Sequence, residues 1–119
     1  MAFPTPILDA RLAQQRQQQE RSRQQVLAAA LDWLAQHGGH YGIDHGYVFG
    51  SVTQPGRFSA TADVDVGVDS LGIGDPFGLS SYLSLHLDRD VDVVPLDQCH
   101  FAGKIREQGT PWNAINLPD

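Results

Sequence analysis

From Asp63 to Asp69 the chain reads Asp-Val-Asp-Val-Gly-Val-Asp, a strict alternation. Period two is the mark of a half-buried strand, because successive side chains leave a strand on opposite faces. Val64, Val66 and Val68 therefore belong to a core, and Asp63, Asp65 and Asp69 share the other face. A chain with such a segment must build a sheet and cover one side of it. Two further apolar runs supply neighbours: Gly46-Tyr47-Val48-Phe49, ending at Gly50-Ser51, and Val91-Asp92-Val93-Val94, stopped at Pro95.

The cover is helical. Ile7 to His37 contains neither Gly nor Pro and is rich in Ala, Leu, Gln and Arg, so it predicts one long helix that Gly38-Gly39 closes. Val26, Leu27, Ala30, Leu31 and Leu34 form an apolar stripe on its second half. Gln14 to Gln25 has seven glutamines and almost no apolar face, so this part projects, frays or meets another chain. Ser51 to Ala62 reads as a loop, and a Gly-rich link through Gly72, Gly74 and Gly78 leads to a helix over Leu79 to Leu87. Asp97 to Gln108 predicts a short last helix, and Pro111 to Asp119 an irregular tail. The layout is α/β (α+β): a small mixed sheet flanked by helices, with a long N-terminal helix. At 119 residues it is one domain, divided into a polar helical extension over 1–25 and a globular part over 26–119.

Charge divides the chain the same way. Residues 1–25 carry Arg11, Arg16, Arg21 and Arg23 against Asp9 and Glu20, while the rest holds the acidic surplus that makes the net charge −6. An acidic body argues against direct nucleic-acid binding, which needs clustered Lys and Arg. It remains compatible with nucleotides when divalent metals bridge carboxylates to phosphates. No window approaches the roughly 18 apolar residues of a membrane span. Met1 to Ala10 lacks a basic start followed by an apolar run, which predicts no secretory leader and a cytoplasmic protein. The single cysteine, Cys99, excludes an internal disulfide or a CxxC metal motif.

Two carboxylates at i and i+2 of a strand lie roughly 7 Å apart, close enough to serve one ion or a close pair of ions. Magnesium, a hard ion that takes carboxylate oxygens together with substrate phosphates, suits Asp63 and Asp65. The alternative is a solvated strand face, although aspartate is disfavoured in strands and recurs here. Upstream, Gly50-Ser51 follows an apolar run into a turn of small residues, where backbone N–H groups and a hydroxyl can meet phosphate.

Gly50-Ser51, then eleven residues, then Asp63-Val64-Asp65-Val66 resembles the signature of the DNA polymerase β-like nucleotidyltransferases, and the short chain resembles their minimal (MNT) group. The resemblance spans about residues 26–112, including Ile105 to Gly109 as the family's final helix and turn. It implies a polymerase β-like core in which Gly50 and Ser51 lie beneath the phosphates of ATP. It also implies two magnesium ions held by Asp63, Asp65 and Asp92. Asp92 would further serve as general base toward the acceptor hydroxyl. Asp90 shares the strand face with Asp92, but only Asp92 has the apolar neighbour on each side that the family shows. Minimal members resemble antitoxins paired with HEPN-type ribonuclease toxins, which implies transfer of AMP from ATP to a toxin hydroxyl, a tyrosine in that family. Larger members carry an extra helical domain, so the acceptor surface here is expected from another chain. Binding without catalysis, and an aminoglycoside-type small-molecule acceptor, are the competing readings.

The family commonly has ten residues in place of the eleven, Val52 to Ala62, and often Ser where Ala62 stands. Other motifs lead to less. An EF-hand beginning at Asp63 would need Gly and Glu where Val68 and Gly74 stand. Asp-x-Asp also occurs in sugar-nucleotide glycosyltransferases, whose domains are longer. His37, His40 and His45 are split by two glycines and read as surface or turn residues. Cys99 reads as a structural thiol, and Trp33 and Trp112 as packing residues.

Overall fold

The computed structural model describes residues 6–69 and 74–115. Helix α1 (Pro6–His37) runs unbroken into a 3-10 turn over Gly38–Tyr41, followed by strand β1 (His45–Phe49) and a second 3-10 turn over Gly50–Thr53. Strand β2 (Val64–Val68), helix α2 (Pro76–Leu87), strand β3 (Val91–Pro95), helix α3 (Ala102–Gln108) and strand β4 (Thr110–Asn113) complete the α+β fold. The four strands form one mixed sheet in the order β3-β2-β1-β4. β1 is antiparallel to β2 and β4, whereas β2 and β3 are parallel and joined by α2. Among the described residues no helix is long and apolar enough to cross a membrane.

The valine alternation sorts the two faces as the sequence requires. Val48, Val64, Val66 and Val68 are fully buried against Ala30, Trp33 and Leu34 of α1 and Leu79 and Leu83 of α2. On the opposite face Leu96, Ala102 and Ile105 form a smaller cluster with Tyr47, Phe49 and Cys99. That cluster reaches over Gly67, so the aspartate face of β2 is partly roofed rather than fully solvated. Trp33 and Trp112 are both buried in the main core, as packing residues.

Several boundaries differ from the sequence reading. α1 does end at His37, just before Gly38-Gly39 as expected, but the left-handed residue is Gly42, at φ 71°, after a 3-10 turn over Gly38–Tyr41. α2 begins at Pro76 rather than Leu79. Asp75 caps it by accepting a hydrogen bond from the Gly78 N–H at 2.9 Å, and proline suits a first turn whose N–H would be orphaned. Gly72 lies outside the described residues. The predicted helix from Asp97 is a 3-10 turn over Leu96–Gln98 followed, after Cys99 to Phe101, by α3.

The predicted irregular tail contains a strand. β4 pairs with β1 and seats Trp112, 4% exposed, in the core. Proline is tolerated on such an edge strand because one side of it makes no ladder bonds. Residues 116–119 lie outside the described residues. The glutamine-rich part of α1 is solvent-exposed from Pro6 to Gln19, yet Arg23 within it is buried. Its Nη1 donates to the Val52 carbonyl at 3.1 Å and its Nε donates to Glu20 at 2.9 Å, which pins α1 to the loop after β1.

Candidate active site

Asp65 stands in the middle of the sheet, on β2, with Phe49 as its register partner on β1 and Asp92 on β3. Residues in register on neighbouring strands share a face, so the Asp65 and Asp92 side chains rise side by side on the face that carries α3. Asp63 precedes β2 by one residue and, two positions from Asp65, shares its face. Asp63 and Asp92 are exposed and Asp65 is half-buried. Burial, together with the nearby Asp92 and Asp63 carboxylates, pushes the Asp65 carboxyl above its ordinary range. Among the described residues no Lys, Arg or His forms an ion pair with any of the three.

Asp69, on the same strand face, is elsewhere in chemical terms. Beyond the Gly67 roof it is paired with Arg106 of α3 and lies 2.8 Å from His45 Nδ1. Asp90 is exposed just before β3 and offers its carbonyl to the Val64 N–H at 3.0 Å. Asp92 is therefore the register neighbour of Asp65.

The turn after β1 closes the site from the other side. Gly50 has φ 81°, a left-handed conformation in which a side chain is strained. A Cβ there would also run into the Asp65 carboxylate, so backbone and carboxylate meet only because this residue is glycine. Ser51 follows, half-buried, within a turn held by the Thr53 hydroxyl donating to the Gly50 carbonyl at 2.7 Å and by the Gln54 N–H donating to the Ser51 carbonyl at 3.0 Å. Gly50, Ser51, Asp63, Asp65 and Asp92 thus gather around the adjoining ends of β1, β2 and β3, although they span more than forty residues of sequence.

Two clefts adjoin them. One, of about 470 Å3, is lined by Phe49, Gly50, Thr53 and Gln54 from the turn and by Phe101, Lys104, Ile105 and Gln108 from α3. The other, of about 450 Å3, places Asp92 beside Phe77 and Ser80 of α2 and Gln98. Both fall within the size range of small-molecule sites. A larger cavity, about 570 Å3, lies between α1 and the loop at Pro55–Phe58. It contains none of the five residues, and its Glu20 and Arg23 are paired with each other.

Sequence reasoning missed Lys104, the one lysine of the chain, which faces the Gly50 cleft and brings a positive charge to an otherwise acidic site. Helical spacing sets Phe101, Lys104, Ile105 and Gln108 on one face, but only the fold brings that face to the Gly50 turn.

Among the described residues no group of three or more His, Cys, Asp or Glu side chains is gathered into a ready-made metal cage. His37 and His40 have ring centroids 6.0 Å apart, with His37 also tilted against Trp33 at 5.0 Å, but His45 is engaged with Asp69, so the three do not form one ligand group. Among the described residues the charged groups acting on Asp65 are the Asp92 and Asp63 carboxylates, none of the three ion-paired with a basic side chain, and such oxygens fit a hard divalent ion. Magnesium in particular uses one or two carboxylates and leaves its other positions to water and phosphate. Comparison with protein-family models, with curated proteins and with solved structures finds no match to this chain.

Proposed function

We propose that the chain is a magnesium-dependent nucleotidyltransferase that moves AMP from ATP to a hydroxyl, a tyrosine by family resemblance, of a HEPN-type ribonuclease toxin, and so acts as its cytoplasmic antitoxin. The observation that carries the reading is the register of Asp65 with Asp92, with Asp63 two residues away and the Gly50 turn against the Asp65 carboxylate.

In this reading Asp63, Asp65 and Asp92 would hold two magnesium ions, which when bound supply charge stabilisation for the attacking and departing oxygens. Gly50 and Ser51 admit the triphosphate close to the backbone, and Lys104 offsets part of its charge. Asp92, exposed and at the sheet edge, accepts the proton of the acceptor hydroxyl. That oxygen bonds to the α-phosphorus, the bond from phosphorus to the bridging oxygen breaks, and pyrophosphate leaves with the electron pair. Positioning and electrostatics account for the rate, since the protein forms no covalent bond. AMP on the toxin adds negative charge, which repels RNA.

The test is a search beside this chain's gene for a small all-helical protein, and intact mass spectrometry of such a protein after incubation with the chain, ATP and magnesium. Mass gain in AMP steps, absent with Asp63→Asn/Asp65→Asn, is the expected result; no gain on a protein that binds the chain refutes transfer. A binding-only antitoxin is the second reading, and binding without any mass gain would support it.

A further inference from the structure

Helix α2, Pro76-Phe-Gly-Leu-Ser-Ser-Tyr-Leu-Ser-Leu-His-Leu87, contains no Asp, Glu, Lys or Arg. A surface helix ordinarily carries charge on its outer side; the exposed side of α2 has only Ser81 and His86 as polar residues among large apolar ones. Here only one side is covered. Leu79 and Leu83 are fully buried, while Phe77 is 85% exposed, Leu85 77% and Tyr82 58%. Phe77, Ser81 and Leu85 follow at intervals of four and form one outward stripe, flanked by Tyr82. The stripe continues to the candidate active site, because Phe77 lines the same cleft as Asp92.

The surroundings of the stripe are acidic. Asp75 and Asp88 stand at the two ends of α2, and Asp90 and Asp92 lie beside it, all four exposed. Arg89, just beyond the C-terminal end of α2, is turned elsewhere: it donates to the Ala62 carbonyl at 2.7 Å and lies over the Phe58 ring at 4.4 Å. A second copy of the chain is a poor occupant. Antiparallel pairing about the middle of α2 would set Asp75 of one copy against Asp88 of the other, between bodies of net charge −6. An apolar centre inside an acidic rim calls for an apolar patch ringed by Lys and Arg.

We propose that the outward face of α2, centred on Phe77 and Leu85, docks a basic protein, and that this protein presents the acceptor hydroxyl to Asp92. The second clause rests on the nucleotidyl-transfer reading; the docking itself does not. Seating an apolar surface on Phe77 would place the partner's adjoining residues over the cleft that Asp92 lines and would exclude water from it.

Photocrosslinking of the full chain in its own cells tests the proposal. The variants are Phe77→p-benzoylphenylalanine and Leu85→p-benzoylphenylalanine, with Asn113→p-benzoylphenylalanine, exposed on the opposite edge strand β4, as control. The expected result is one protein of basic isoelectric point captured at both α2 positions and not at the control. Purified and mixed with the chain, it should bind at least about tenfold more weakly after Phe77→Glu, and more weakly as salt screens the acidic rim. An adduct of twice the chain's mass, an acidic captured protein, binding indifferent to Phe77→Glu, or no adduct overturns the proposal. The same mixture given α-labelled ATP separates the two readings. Capture without label refutes transfer and leaves the docking face standing; labelling of a protein that does not crosslink at α2 refutes the docking face and leaves transfer standing.

Discussion

Asp65 on β2 and Asp92 on β3 are register partners across a parallel strand pair, and among the described residues neither is ion-paired with a basic side chain. Asp65 is the half-buried member, and its carboxyl is pushed above the ordinary range by burial and by Asp92 and Asp63. A carboxyl whose folded-state pKa lies above its unfolded value costs stability once ionised. The cost is absent at acid pH, where both states are protonated, and grows as pH rises through the unfolded and then the folded value. Asp65→Asn should therefore raise the melting temperature at neutral pH in chelator. The gap should close as pH falls below about 4, the ordinary carboxylate value. Calorimetry across pH checks this; a variant less stable than the parent at pH 7 in chelator contradicts it.

Magnesium should reverse that ranking. An ion that binds only the folded chain stabilises it by about 2.7 kcal/mol at a hundredfold excess over its dissociation constant. The parent should gain melting temperature in millimolar magnesium and Asp65→Asn should not. In the transfer assay Asp65→Asn should lose about 100-fold or more, the loss expected when several kcal/mol of transition-state charge stabilisation disappear.

Gly50→Ala should destabilise the chain by about 1–2 kcal/mol for the left-handed backbone alone, before any contact with Asp65. Since the added methyl also displaces the Asp65 carboxylate, a urea titration and the transfer assay should both register the change. Asp65→Ala should recover part of the stability loss but none of the activity.

Arg23→Ala should cost about 1–3 kcal/mol, because it leaves the buried Val52 carbonyl without its donor and takes the guanidinium from Glu20, which keeps only its exposed bond from Gln24 among side chains. Arg23→Lys should restore only part of it, since one ammonium cannot reproduce a guanidinium fork that reaches two partners. Urea unfolding compares the three; equal stability of Arg23→Ala and the parent would remove the anchoring role of this residue.

Lys104→Ala should raise KM for the nucleotide about tenfold, the loss of one hydrogen bond to a charged group, with a smaller effect on kcat. Steady-state kinetics separates this from a structural defect, which would depress kcat at saturating nucleotide.

The parts of the fold that could be read from sequence were those written in short periods. Valine every second residue located β2 and its buried face, and the Gly- and Pro-free run located α1. Asp63 and Asp65 stood out because carboxylates in a valine alternation contradict local preference, whereas Asp92 was singled out only by the family resemblance; its register with Asp65 is a matter of the fold. What was missed depends on distant partners. β4 exists because β1 offers it a free edge and the core holds Trp112, neither of which Thr-Pro-Trp-Asn announces. Arg23 sits among glutamines on α1 and is buried only because the Val52 carbonyl lies across from it, twenty-nine residues away. Lys104 became a candidate through the proximity of α3 to the Gly50 turn.

The exposed first half of α1 also governs how the molecule moves in solution. The chain measures 63 × 32 × 19 Å with a radius of gyration of 17.0 Å. A compact chain of this length would have about 13.5 Å. Friction follows the long dimension, so the monomer should migrate on a sizing column ahead of globular standards of its own mass. An early elution volume would then report a lever attached to a small body, and subunit number has to be taken from light scattering or sedimentation equilibrium, which weigh the particle regardless of its outline.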